Sequence, residues 1–154
     1  LEKEKGNSAK AISYFEESAG MQEDPRKSAR IYYRIAEEKR KAGQKSTARR
    51  YYLKALDYQP SMGRAYLKIA SMYAASANTC GATVFEKRAI YWKAADLAAK
   101  AARLDGSIAK NARETASSYR QRAPSKSDIF DGGMGGKTIT FNCWVGGSVR
   151  VPNL

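Results

Sequence analysis

SARIYYRIAEEKRKAGQKSTARRYYLKALDYQP, residues 28–60, reads as two helices joined by a short turn. Tyr32, Ile35 and Ala36 share one face of the first helix, and Ala48, Tyr52 and Ala55 share one face of the second. Small side chains at Ala36, Ala48 and Ala55 let the two backbones approach closely, and the Tyr52 ring fills the space left between them. Gly43 suits a left-handed cap on the first helix. Pro60 falls just past the second, where it interrupts no helical hydrogen bond.

Working outward, Tyr32-x-x-Ile35-Ala36 returns as Tyr66-x-x-Ile69-Ala70, an offset of 34 residues. A fixed period of this kind marks stacked supersecondary units. Residues 29–62 resemble a complete tetratricopeptide repeat (TPR). Tyr32 stands at the first large aromatic position, Ile35-Ala36 at the Leu-Gly pair, Gly43 at the turn, and Ala48, Tyr52 and Ala55 at the small-aromatic-small triad, with Leu56 and Pro60 closing the unit. Lys39 departs from the family, which usually has an aromatic there. The resemblance implies an all-α, TPR-type solenoid of antiparallel helix hairpins.

The same template extends to both sides. NSAKAISYFEESA, residues 7–19, matches a second helix, with Ala11 and Phe15 at template positions, Gly6 as the preceding turn and Leu1–Lys5 as a stub of the first. The chain is therefore expected to begin in mid-repeat. The following repeat has its first helix at about 63–76. After an insertion, VFEKRAIYWKAADLAAKAARL, residues 84–104, contains no Gly or Pro and reads as one extended second helix carrying Ala94, Ala98 and Ala101. Ser107–Arg122, with Ala112, Ala116 and Tyr119, reads as a terminal capping helix. The expected organisation is a solenoid over 1–123 (truncated repeat 1–25, repeat 26–62, repeat with extended second helix 63–106, capping helix 107–123) and a tail over 124–154.

In the tail, PSKSDIFDGGMGG, residues 124–136, reads as a linker. KTITFNCWV, residues 137–145, and SVRV, residues 148–151, read as strands joined at Gly146-Gly147 in a short β-hairpin. A lone hairpin is marginal in water, so it is expected to dock, with Phe141 and Trp144 covering the end of the helical stack as a lid. GGMGGKT, residues 132–138, lacks the first glycine of a phosphate loop, since Asp131 occupies that place, and a strand rather than a helix follows it.

Composition narrows the chemistry. There is no His among the 154 residues, which removes Ser-His-Asp and Cys-His catalysis. Two cysteines without His do not make a typical zinc site. No cofactor is implied, and the expectation is a binding protein rather than an enzyme. No apolar run approaches the ~18 residues of a membrane span. The chain carries 28 Lys and Arg against 15 Asp and Glu, a formal charge of +13, which favours acidic partners. Eleven of these cations and only two acids, Glu37 and Glu38, lie between Arg26 and Lys54. The aromatics there sit at core spacing instead of forming a stacking platform, so nucleic acid is disfavoured.

TPR arrays usually bind extended peptides along the concave face lined by the first helix of each repeat. The resemblance places groove positions at Arg30, Tyr33, Arg34 and Glu37, then Arg64, Leu67, Lys68 and Ser71, then Lys110, Arg113, Glu114 and Ser117. Six of these are Lys or Arg, which suits an acidic protein segment. They do not reproduce the carboxylate clamp of chaperone-binding TPR domains, because Tyr33, Glu37, Lys68 and Glu114 replace its key residues. The alternative is a structural or assembly module, with self-association and no discrete ligand.

Cys80 and Cys143 could meet if the tail packs back, or could remain two separate buried thiols. CGATVFEKRAIYWKAADLAAKA together with FNCWVGGSVRV resembles the C-terminal region of TPR proteins of Bacteroidetes-type bacteria, often associated with the cell envelope. That setting would favour the bridge, and an envelope or periplasmic location over the cytoplasm.

Overall fold

The computed structural model describes the backbone of residues 2–154 and the side chains of residues 9–154. The protein is mostly helical, with a small two-stranded antiparallel sheet near its C-terminus. It divides into two compact units, residues 1–65 and 66–154. Residues 124–154, the expected tail, fall in the second of these units.

The first unit contains α1 (Glu2–Gly20), α2 (Pro25–Lys41) and α3 (Lys45–Tyr58), and ends in the first turn of α4 (Gly63–Ala75). The expected turn at Gly6 does not form. Gly6 lies inside α1, because one glycine disfavours a helix without breaking it; Leu1, part of the expected stub, lies outside the described residues.

At the start of α2, the Asp24 side chain accepts from the Arg26 N–H at 2.9 Å and Pro25 occupies the first turn. Ser28 Oγ, buried, donates to the Ala19 carbonyl at 2.8 Å and ties α2 to the end of α1. Helix α2 closes in a Schellman motif, with Gln44 N–H donating to Lys39 O and Gly43 N–H to Arg40 O. Gly43 has φ 77°, the left-handed conformation this motif needs.

The turn returns α3 antiparallel to α2. Early Tyr32 stacks on late Tyr58 (centroids 5.5 Å), while late Arg40 reaches Tyr52. Ala29, Tyr32, Ile35 and Ala36 of α2 and Ala48, Tyr51, Tyr52, Ala55 and Leu56 of α3 are all buried, the small residues completely.

The second unit holds the rest of α4, then α5 (Val84–Leu104), α6 (Ala109–Arg122) and a short α7 (Lys126–Asp131). Helix α5 opens with a reciprocal capping box between Thr83 and Glu86. Gly81 is required there, because a Cβ would lie 2.7 Å from Glu86 Cβ and from Lys87 N. Ala89, Ala94, Ala95, Ala98 and Ala101 of α5 and Ala112 and Ala116 of α6 are buried, which gives this helix pair its close packing. Residues 124–136 are not simply a linker: Ser125 and Asp128 form a second capping box that starts α7, whose Ile129 is buried.

The strands are β1 (Thr138–Thr140) and β2 (Ser148–Arg150), with Ile139 opposite Val149. They are shorter than expected and joined by residues 141–147 instead of a tight Gly146-Gly147 turn. Contacts of three of its residues hold that segment against α4, α5 and the connection between them. Trp144 Nε1 donates to Ser76 Oγ at 2.8 Å and its ring meets Tyr73 at 5.4 Å. Lys93 Nζ donates to the Gly146 carbonyl at 2.8 Å. Cys143 is joined to Cys80 by a disulfide with Cα atoms 5.2 Å apart.

Candidate functional site

Lys27, Arg30, Ile31 and Arg34 recur on successive turns of one α2 face. They line a depression of about 320 Å³ with Phe15 and Gln22, residues close to or within the end of α1. The Arg34 guanidinium lies 5.3 Å over the Phe15 ring, a cation–π contact that orients it while leaving the side chain exposed. Lys27 and Arg30 are exposed as well. Among the described residues no carboxylate lines the depression, which offers an apolar floor and a rim of donors.

Tyr33, Glu37 and Arg64, expected in the same groove, form a different cluster. The Tyr33 ring meets Tyr52 edge-on at 5.5 Å, and the Arg64 guanidinium lies 4.4 Å above Tyr33. Glu37 accepts from Arg40 Nη2 at 2.8 Å and from the Tyr52 hydroxyl, while Arg40 Nε donates to the same Tyr52 oxygen at 3.3 Å. Burial, and then the hydrogen bond to Glu37, holds the Tyr52 phenol above its ordinary range. Burial followed by the nearby Glu37 charge does the same to Tyr33. Glu37 is thus engaged by Arg40 and Tyr52 within the hairpin.

In the second unit, Leu67 and Lys68 of α4 are half-buried, and Ser71 of α4 and Lys110, Arg113, Glu114 and Ser117 of α6 are exposed. Of these, Arg113 lines a cleft of about 430 Å³ on α5 and α6, with Arg103 and Arg120 on its walls and Ala99, Ala102 and Ala116 between them. Leu67, Lys68, Ser71 and Lys110 do not line it.

The template did not point to Arg103, because it considers only first helices. Arg120 was legible, since it repeats Arg113 two turns along the same helix.

A third region surrounds α7. Arg88 Nη1 lies 3.6 Å from Asp128 Oδ2. Hydrogen bonds from Ser125, first of all from its backbone N–H, and to a lesser degree Arg88, hold Asp128 below the usual carboxylate range. Beside this pair, Val84, Phe85, Pro124 and Met134 line an apolar depression of about 460 Å³. Its rim carries both signs of charge, Arg88 with Glu86, Asp128 and Asp131.

Among the described residues no group of three or more His, Cys, Asp or Glu could hold a metal ion, and no helix is long and apolar enough to cross a membrane. No family model, no curated protein and no solved structure matches the chain.

Proposed function

We propose that this protein is a TPR-type binding module that holds an acidic segment of a partner protein, and that it is not an enzyme. The observation that carries this reading is the α1–α2 depression, where Lys27, Arg30 and Arg34 surround Phe15 and Ile31 with no acid among the described lining residues. Such a surface takes carboxylates through charge-assisted hydrogen bonds and an adjoining apolar side chain through the floor. The TPR assignment is supported by the 34-residue offset between Tyr32 and Tyr66 and by the buried small-aromatic-small set of α3. The Cys80–Cys143 disulfide supports an oxidising compartment such as the cell envelope.

The test is a charge reversal. Arg30→Glu with Arg34→Glu alters two exposed side chains and leaves the buried hairpin untouched. Binding of a Glu-rich peptide carrying one Leu should weaken by about tenfold or more, since each lost charge-assisted bond is worth ~1.5–3 kcal/mol. Unchanged binding would remove the reading.

A structural role is the second reading. It is favoured by Val84 and Phe130, 66% and 76% exposed in the α5–α7 region. Sedimentation showing concentration-dependent self-association, lost in Val84→Asp with Phe130→Asp, would establish it over the first.

A further inference from the structure

Among the described residues, the α5–α6 cleft is lined by alanine and arginine alone. Arg113, Ala116 and Arg120 follow one stripe of α6 at i, i+3 and i+7; Ala99, Ala102 and Arg103 follow one stripe of α5 at i, i+3 and i+4. Methyl groups form the floor, so an incoming main chain can come close. The three guanidinium groups form the walls, each with five donors and no acceptor. None of Arg103, Arg113 and Arg120 has an ion pair among the described residues, and no acid lines the cleft. Three like charges around one small cleft repel one another, and an anion placed between them adds an attraction to each that offsets that repulsion.

We infer that this cleft is a second binding site, for an extended acidic segment whose carboxylates are spaced to meet Arg113 and Arg120. It shares with the proposed function only the premise that the partner is acidic, and it stands or falls separately from the α1–α2 depression.

These arginines stand seven positions apart in α6, two helical turns or roughly 10 Å along its axis. A polyproline-type chain rises ~3.1 Å per residue with three residues per turn, so acids at every third position fall on one face about 9 Å apart. That pattern, Glu-x-x-Glu in an extended conformation, is the one the cleft selects. The described lining contains no aromatic ring, so it lacks the platform of rings on which single-stranded nucleic acid is held.

The experiment uses the whole chain and a fluorescein-labelled peptide of repeated Glu-Pro-Ala units, followed by fluorescence anisotropy. Arg113→Glu with Arg120→Glu should lower affinity about tenfold or more. Lys126→Glu with Lys137→Glu makes the same change in net charge at exposed positions away from the cleft, and should have a much smaller effect. Arg113→Gln with Arg120→Gln should fall between them, and circular dichroism should report an unchanged helix content for all three.

A loss in the Arg113/Arg120 variants well beyond that of the lysine control would establish the cleft; Arg30→Glu plus Arg34→Glu then decides separately whether the α1–α2 depression also takes this ligand, a loss retaining it and behaviour like the lysine control rejecting it. Arg113/Arg120 variants that behave like the lysine control would overturn the cleft. Equal losses in all charge-reversal variants would overturn it too, by assigning binding to the diffuse positive field. So would displacement of the peptide from Arg113 and Arg120 by a lower concentration of single-stranded DNA.

Discussion

Tyr52, fully buried in α3, donates its phenolic hydrogen to the Glu37 carboxylate on α2, and Arg40 holds the other carboxylate oxygen at 2.8 Å. A carboxylate on a predicted binding face is thereby made an internal strut. The buried tyrosine oxygen needs a partner, and the two helices present one only in the antiparallel hairpin.

Removing that acceptor should loosen the first unit. Glu37→Ala leaves Arg40 as the only described partner of the Tyr52 hydroxyl and should cost about 1–3 kcal/mol. Chemical denaturation followed by circular dichroism measures it. Glu38→Ala, one position along and exposed, should be nearly neutral.

Ala48 has no exposed surface and lies where α3 approaches α2. Ala48→Leu should overpack the pair and cost ~1–3 kcal/mol. Ala42→Leu, at the exposed end of α2, provides the comparison and should cost far less. Thermal melts of the two variants read the difference.

Alkaline pH should destabilise the first unit. Tyr32, Tyr33, Tyr51 and Tyr52 all have phenols raised above the ordinary 10.0, with burial as the leading cause. Above pH 10 the unfolded chain sheds these protons before the folded chain does. The folded state then binds more protons, so its stability falls with rising pH. Stability should be intact below pH 10 and decline above it, with tyrosine ionisation at 295 nm rising together with loss of helix signal. Tyr52→Phe should reduce the pH slope.

Reduction of Cys80–Cys143 should release the tail. The bridge spans 63 residues, a closure worth about 4 kcal/mol in the chain-entropy model. Reductant should lower the melting temperature and make Trp144 more accessible to acrylamide. Cys80→Ser with Cys143→Ser should reproduce both changes and respond no further to reductant.

The helices and the tail differ in how far they could be read from the sequence. In α2 and α3, small and aromatic residues sit on faces whose periodicity is local, so Tyr32, Ala48, Tyr52 and the Gly43 cap could be read directly. Gly146 and Gly147 do adopt positive φ, 64° and 67°, as a tight turn would require. Strand pairing nevertheless ends before them, because Cys143, Trp144 and Gly146 are held by Cys80, Ser76 and Lys93, distant in sequence. Helix α7 was legible in Ser125-x-x-Asp128 but masked by the glycines that follow.

The candidate site was legible only in part, for the same reason. Arg30, Arg34 and Arg113 follow from helix position. Glu37's engagement and Arg103's place in the cleft depend on what packs opposite them.

The most direct measurement is to titrate isotopically labelled protein with a Glu-rich peptide and map the backbone amide shifts. Shifts concentrated at Phe15, Lys27, Arg30 and Arg34, and at Arg103, Arg113 and Arg120, are the expected result. Shifts spread evenly over the lysines and arginines, or none at saturating peptide, would contradict it.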